Sequence, residues 1–399
     1  MAGRNRSARV RGGWAAALCL ALLALLVGCG GPDRPDPASG EVTRLLDRRA
    51  AAVLKHDAEA YAATGGPTAA LANLRDVPLA SWSYRLTGLD RDGAHATATA
   101  ELAYRIKGYD RAPLKAQRTL TLERHGERWS VAAERPAEKA AEQLWDQGHV
   151  DVVRGVHSLV LGAGSGERLE EFADRADRAV PAVRDAWPGA WPQRVVILVP
   201  KTLDGMAGLL GAPASGYQGI AAVTTGEAGG AAKAPADRII VNPEAYGALG
   251  DFGEQVVITH ETTHVATRAH TSPATPLWLS EGFADWVGYR GTGWRATQAA
   301  PELRRAVARG QLPGKLPEDE DFGFAGDAAK LAQSYEGAWL ACRMIADRWG
   351  ERKLTDFYEA VGDRKKRAGA VESALRDVLG TTPEEFTARW RTYLRTELG

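Results

Sequence analysis

The residues with the clearest chemical potential are His260-Glu261-Thr262-Thr263-His264. On a helix, residues four apart leave the same face, so the two imidazoles can share one metal ion. Glu261 lies beside them, placed to act on a metal-bound water rather than to bind the metal. A third ligand should come from a facing element, and Leu277-Trp278-Leu279-Ser280-Glu281-Gly282-Phe283-Ala284-Asp285 supplies one. Glu281 is placed to face both imidazoles. Asp285, one helical turn on, can accept the outer N–H of a ligand histidine and fix its tautomer.

The elements that must carry these groups are readable too. Asp251 and Glu254 form a capping-box pattern ahead of Val256-Val257-Ile258, which predicts a helix running into the His/Glu motif. Thr275 reads as an N-cap and Pro276 as the first residue of the next helix. The short connection from Ala269 to Ala274 makes the two helices antiparallel neighbours.

Together, His260-Glu261-x-x-His264 and Trp278-Leu279-x-Glu281-Gly282-x-Ala284 resemble the gluzincin zinc metallopeptidases, in particular the small bacterial peptidase MA-like members. The resemblance implies a zincin-like fold over residues 150–399, with His260, His264 and Glu281 binding Zn2+, Glu261 as general base and Asp285 behind a ligand histidine. It also implies an oxyanion donor from a later helix. Tyr335, in Gln333-Ser334-Tyr335-Glu336, is the candidate, with core packing the competing role. Two departures stand out. The stretch between His264 and Glu281 is shorter than in the larger enzymes, and the Gly-Ala-Met-Glu-Asn exopeptidase motif is missing. The implied activity is therefore endopeptidase rather than aminopeptidase, on a peptide or protein substrate. A zinc-binding but catalytically idle surface lipoprotein, acting as a binding or assembly module, is the alternative.

The start of the chain reads as an address. Arg4, Arg6, Arg9 and Arg11 precede an apolar run from Trp14 to Val27, too short for the roughly 20 residues of a membrane-spanning helix but suited to a signal peptide. Leu26-Val27-Gly28-Cys29 resembles a bacterial lipobox, which implies cleavage after residue 28 and palmitate-type lipidation of Cys29. A Pro/Gly-rich tether covers 29–40. The expected location is the extracytoplasmic face of the cell membrane, reached through the lipid anchor.

Composition sets the remaining bounds. The 399 residues carry 50 Lys+Arg against 50 Asp+Glu, and a neutral chain does not offer the basic surface that nucleic-acid binding needs. Three cysteines exclude a disulfide framework, and Cys342 lies in an apolar helical stretch, so a buried, inert thiol is expected. The protein is expected to be monomeric.

The fold class expected is α+β. Residues 41–65 read as one helix, followed by strand-like alternation over 81–86, 96–107, 115–123 and 128–133. This 41–140 module resembles nuclear transport factor 2-like domains in element order. Residues 134–148 read as a helical connector. Strands are expected at 157–161, 194–199, 219–225 and 238–241, a helix at 167–187, and a loop at 226–235. The result is a small mixed sheet and a mostly helical second half. The strand at 238–241, just ahead of the metal-binding helix, is the expected edge for pairing with extended substrate. Glu318-Asp319-Glu320-Asp321 lacks calcium-ligand spacing and reads as a solvated turn.

Overall fold

The computed structural model describes residues 37–163, 166–225, 236–324 and 327–399. The expected signal peptide, the expected lipidation site at Cys29 and the loop expected at 226–235 lie outside these residues. The fold is α+β, as expected. Among the described residues no helix is long and apolar enough to cross a membrane.

The chain enters through α1 (Pro37–Lys55), α2 (Ala58–Ala62) and α3 (Ala69–Asn73). Residues 37–40 thus belong to α1 and not to a tether. The single helix expected over 41–65 is broken at His56, whose φ is +52°, and Asp57 starts α2 by accepting from the Ala60 N–H at 2.9 Å. Val42, Leu45, Leu46 and Val53 recur at helical spacing and are all buried. They face an antiparallel meander of β1 (Leu79–Asp92), β2 (His95–Ile106), β3 (Leu114–His125) and β4 (Arg128–Pro136), in that spatial order. Period-two alternation carries this sheet: Ala96, Ala98, Ala100, Leu102, Tyr104 and Ile106 of β2 are all buried. Strands β1, β3 and β4 run longer than the alternation suggested, while β2 keeps its expected length, shifted by one residue.

The connector is not helical. Beyond β4 the chain makes a single 3-10 turn, Leu144–Asp146. That turn drives Trp145 against the rings of Trp82 and Tyr104, at centroid distances of 5.4 and 4.9 Å.

A second sheet is built from β5 (Asp151–Arg154), β6 (Ser158–Gly162), β7 (Val195–Val199), β8 (Ala222–Thr224) and β9 (Ile239–Val241), in the order β5-β6-β7-β9-β8. Strands β6, β7 and β9 are parallel, while β5 and β8 run antiparallel to their neighbours. The sheet is mixed, but β9 is not an edge. It is paired on both sides, and β8 is the outer strand. The single-sequence signal could not tell these two short apolar runs apart by position in the sheet. The near-continuous apolar run Val195–Val199 reflects burial on both faces. Val160, Val195, Ile197 and Ile239 pack toward α4 (Gly166–Ala186) and the helices beyond, whereas Leu159, Leu161, Val196 and Ile240 join the apolar cluster of the first sheet. A buried ion pair, Arg238 to Asp110 at 2.8 Å, and Tyr109 O–H donating to the Ser158 carbonyl at 2.9 Å tie the two sheets together.

The rest is helical: α5 (Leu203–Leu210) and α6 (Pro243–Gly247), then α7 (Gly250–Thr267), α8 (Leu277–Tyr289), α9 (Ala296–Ala299), α10 (Pro301–Ala308), α11 (Ala328–Trp349), α12 (Glu351–Gly362), α13 (Ala370–Leu379) and α14 (Pro383–Leu398). Cys342 is fully buried in α11, and burial pushes its thiol well above the usual range.

Candidate metal centre

Helix α7 is buried along most of its length, from Glu254 to Thr267. A buried helix rich in threonine must satisfy its hydroxyls. Thr259, Thr263 and Thr267 do so by donating to carbonyls four residues back, at 2.8, 2.8 and 3.0 Å. The expected capping box is not formed. Asp251 and Glu254 instead pair with Arg175 of α4, and Glu254 also with Arg168, at 2.8 Å. Tethering to α4 is thus what the two acids do for α7.

Helix α8 begins at Leu277, with Pro276 outside it. The capping oxygen comes from far along the chain: Asp319 Oδ1 accepts the Leu277 N–H at 2.9 Å. The acidic turn therefore caps the helix that carries Glu281. Gly282 permits a close approach to α11, since a Cβ there would sit 2.3 Å from the Ala338 carbonyl oxygen. Gly288 does the same toward α7, where a Cβ would meet the Val256 carbonyl at 3.3 Å.

This packing brings His260, His264 and Glu281 together, with ligand atoms of all three within 4.8 Å of one another. The two Nε2 atoms are 2.9 Å apart, and Glu281 Oε2 lies 3.3 Å from His260 Nε2 and 3.6 Å from His264 Nε2. Tetrahedral ligands held about 2.0–2.1 Å from a zinc ion are separated by about 3.3 Å. The triangle of donor atoms therefore has the size of one face of a zinc tetrahedron. Asp285 Oδ1 sits 2.8 Å from His260 Nδ1. With the Nδ1 proton donated there, Nε2 presents its lone pair to the centre.

The electrostatics point the same way. Burial would push the His260 imidazole down, but Asp285 and Glu281 more than offset this and raise its pKa to about 10. Burial would raise the Glu281 carboxyl, yet the two imidazoles hold it far below the usual carboxylate range. A site whose field favours positive charge this strongly also favours a divalent cation. The donor set of two imidazoles and a carboxylate fits zinc.

Glu261 is nearly buried on the same helix. Its Oε2 accepts a hydrogen bond from Thr224 Oγ1 of β8 at 2.7 Å. No motif marked Thr224, because its partner is 37 residues away. The centre opens on a cavity of about 580 Å³ lined by His260, Glu261, Asp285, Ile220, Ala222, Val257, Leu331 and Tyr335. Tyr335 thus reaches the site's cleft while also packing edge-on against Phe322 at 5.1 Å. An adjoining cavity of about 550 Å³ shares Val256, Val257 and Asp285 and is walled by Phe252, Tyr289 and Trp294. Phe252 and Trp294 stack with centroids 4.1 Å apart. Neither ring stood out in the sequence, since single aromatics carry no spacing signal.

No protein-family model and no curated protein matches the chain. Among solved structures, native yeast LTA4 hydrolase is similar over 68% of this chain and 43% of its own, at 11% identity and a TM-score of 0.37. Yeast LTA4 hydrolase in complex with bestatin is similar over 79% of this chain and 58% of its own, at 10% identity and a TM-score of 0.35. This chain therefore spans about half the length of those proteins, and at such scores neither fixes its family.

Proposed function

We propose that the protein is a zinc-dependent hydrolase of peptide bonds, cutting within chains, and that it is exported and held at the membrane by a lipid on Cys29. The observation that supports the hydrolase reading most is the convergence of His260, His264 and Glu281 beside the Glu261 carboxylate, which lines the adjoining cleft. Zinc binding alone would not need Glu261 there.

His260, His264 and Glu281 would hold the ion, which when bound supplies Lewis acidity at its open fourth position. Asp285 orients His260. Glu261 takes the proton of the attacking water and then gives it to the leaving amine. Tyr335, which also lines the cleft, is the candidate donor to the developing oxyanion. Strand β8 is the outer strand, and residues 218–222 leading into it line the cleft. An extended peptide is therefore placed by pairing with this edge, and the neighbouring aromatic pocket receives an apolar side chain.

The test is metal content and peptide cleavage, measured on wild type, His264→Ala and Glu261→Gln. One zinc per chain in wild type and Glu261→Gln, none in His264→Ala, and cleavage by wild type alone would support the reading. Zinc-loaded wild type that cleaves nothing across a broad peptide library would instead establish an idle zinc-binding lipoprotein. Mass analysis of the mature N-terminus, with Cys29→Ala as control, checks the anchor.

A further inference from the structure

Glu261 is gripped from the sheet as well as carried by its helix. Thr224 ends β8 and is completely buried. Its hydroxyl lies 2.7 Å from Glu261 Oε2 and 3.1 Å from the backbone carbonyl oxygen of the same residue. A threonine hydroxyl has one proton to donate. The shorter contact, to the charged oxygen, is the stronger claim on it. The donor is also well fixed. A β-branched side chain is stiff at χ1, and the Thr224 backbone is in register with Ile239 of β9.

We propose that Thr224 is a positioning residue for Glu261. By donating to Oε2 it fixes the orientation of the carboxylate that receives the proton. It also ties the base to the strand along which substrate is proposed to lie. The inference rests on the hydrolase reading above. In the step concerned, the water O–H bond breaks and its proton goes to the Glu261 carboxylate. The released electron pair forms the new bond to the peptide carbonyl carbon as the C=O π pair moves onto the carbonyl oxygen. That pair then re-forms the C=O bond as the C–N bond breaks, and the C–N pair leaves on the amine nitrogen, which takes the proton from Glu261. A free glutamate side chain samples several rotamers. Pinning one oxygen removes that freedom before the reaction starts, and misplacement of a reacting group by about 1 Å can cost on the order of 100-fold.

Thr224→Val keeps the shape and branching and removes only the donor, while Thr224→Ser restores it. The expected result is that Thr224→Val binds one zinc per chain like wild type, with kcat lower by about 10- to 100-fold and KM little changed. Thr224→Ser should recover most of the lost kcat. A second arm does not depend on turnover: crystal structures of the metal-free wild type and Thr224→Val proteins should show the Glu261 carboxylate on Thr224 in the first and in another rotamer in the second. Unchanged kcat in Thr224→Val, an unmoved Glu261, or a loss of zinc that Thr224→Ser does not repair would each overturn the proposal. Wild type that cleaves no peptide would overturn the hydrolase reading instead, and the crystallographic arm alone would then decide whether Thr224 holds Glu261.

Discussion

Two buried polar clusters in this molecule are built on opposite charge plans. In the first, behind the four-stranded sheet, Arg118 binds Asp146 with two hydrogen bonds of 2.8 Å and Glu134 with a third of 3.2 Å. Arg49 meets Glu134 at 3.1 Å and also bonds Thr64, the Gly65 carbonyl and Tyr61. Tyr84 donates to the same glutamate. Two guanidinium groups thus face two carboxylates, and the charge balances. In the second cluster, Glu281 and Asp285 take imidazoles as partners rather than arginine or lysine, with Glu261 alongside. Around Glu281 and Asp285 the field pulls positive charge toward the imidazoles. A balanced cluster locks a fold, while an unbalanced one is arranged to receive a cation.

The largest effect should come from unbalancing the first cluster. Arg118→Met leaves Asp146 without its guanidinium partner and takes one of the contacts of Glu134, and unfolding by urea should show a loss of about 3–5 kcal/mol. Zinc per chain should not change. If zinc binding fell in step with stability, the two clusters would not be independent. Next comes Asp285→Asn, which keeps the shape but weakens the hold on His260. Competition with a chelator should show zinc affinity lower by about 10- to 100-fold. Gly282→Ala should follow, costing about 1–3 kcal/mol by overpacking α8 on α11. Because Glu281 is adjacent, this variant should also bind zinc less well, and a purely additive loss of stability would argue against that coupling.

The smallest effect concerns Glu336, which accepts from the N–H groups of Glu302 and Leu303 at the start of α10. Burial outweighs these hydrogen bonds and raises its pKa to about 7. The folded state therefore keeps a proton that the unfolded chain gives up near 4.5. Its contribution to stability is complete below that value and is lost as pH rises through about 7. Wild type should lose on the order of 1–2 kcal/mol between pH 5 and 8 relative to Glu336→Gln. An identical pH slope in the two proteins would rule this group out as its source.

Local pattern was enough for many elements. The meander showed itself because alternate residues of β2 are small or aromatic and buried, and a half-buried strand imposes that period. Helix α4 showed itself by its amphipathic spacing, whereas α7 was expected from a capping pattern that the structure does not form; the positions of His260, His264, Glu281 and Asp285 followed from helix periodicity plus one short connection. Local pattern failed where the partner was distant. Asp251 and Glu254 resemble a cap but are claimed by arginines of α4. Thr275 resembles an N-cap, yet Asp319 does that work. The run at 238–241 resembled an edge strand, but β8 pairs beyond it.

The sequence by itself determined which side chains leave one face of a helix, because that depends only on the 3.6-residue repeat and the chirality of the backbone. It also determined the ligand types and their order. Tertiary structure decided how closely α8 approaches α11 and α7, through the missing side chains at Gly282 and Gly288 respectively. It decided which strand closes the sheet, and that Thr224 meets Glu261 across 37 residues. Those outcomes depend on packing between segments remote in the chain, and such contacts leave no periodic trace in the order of residues.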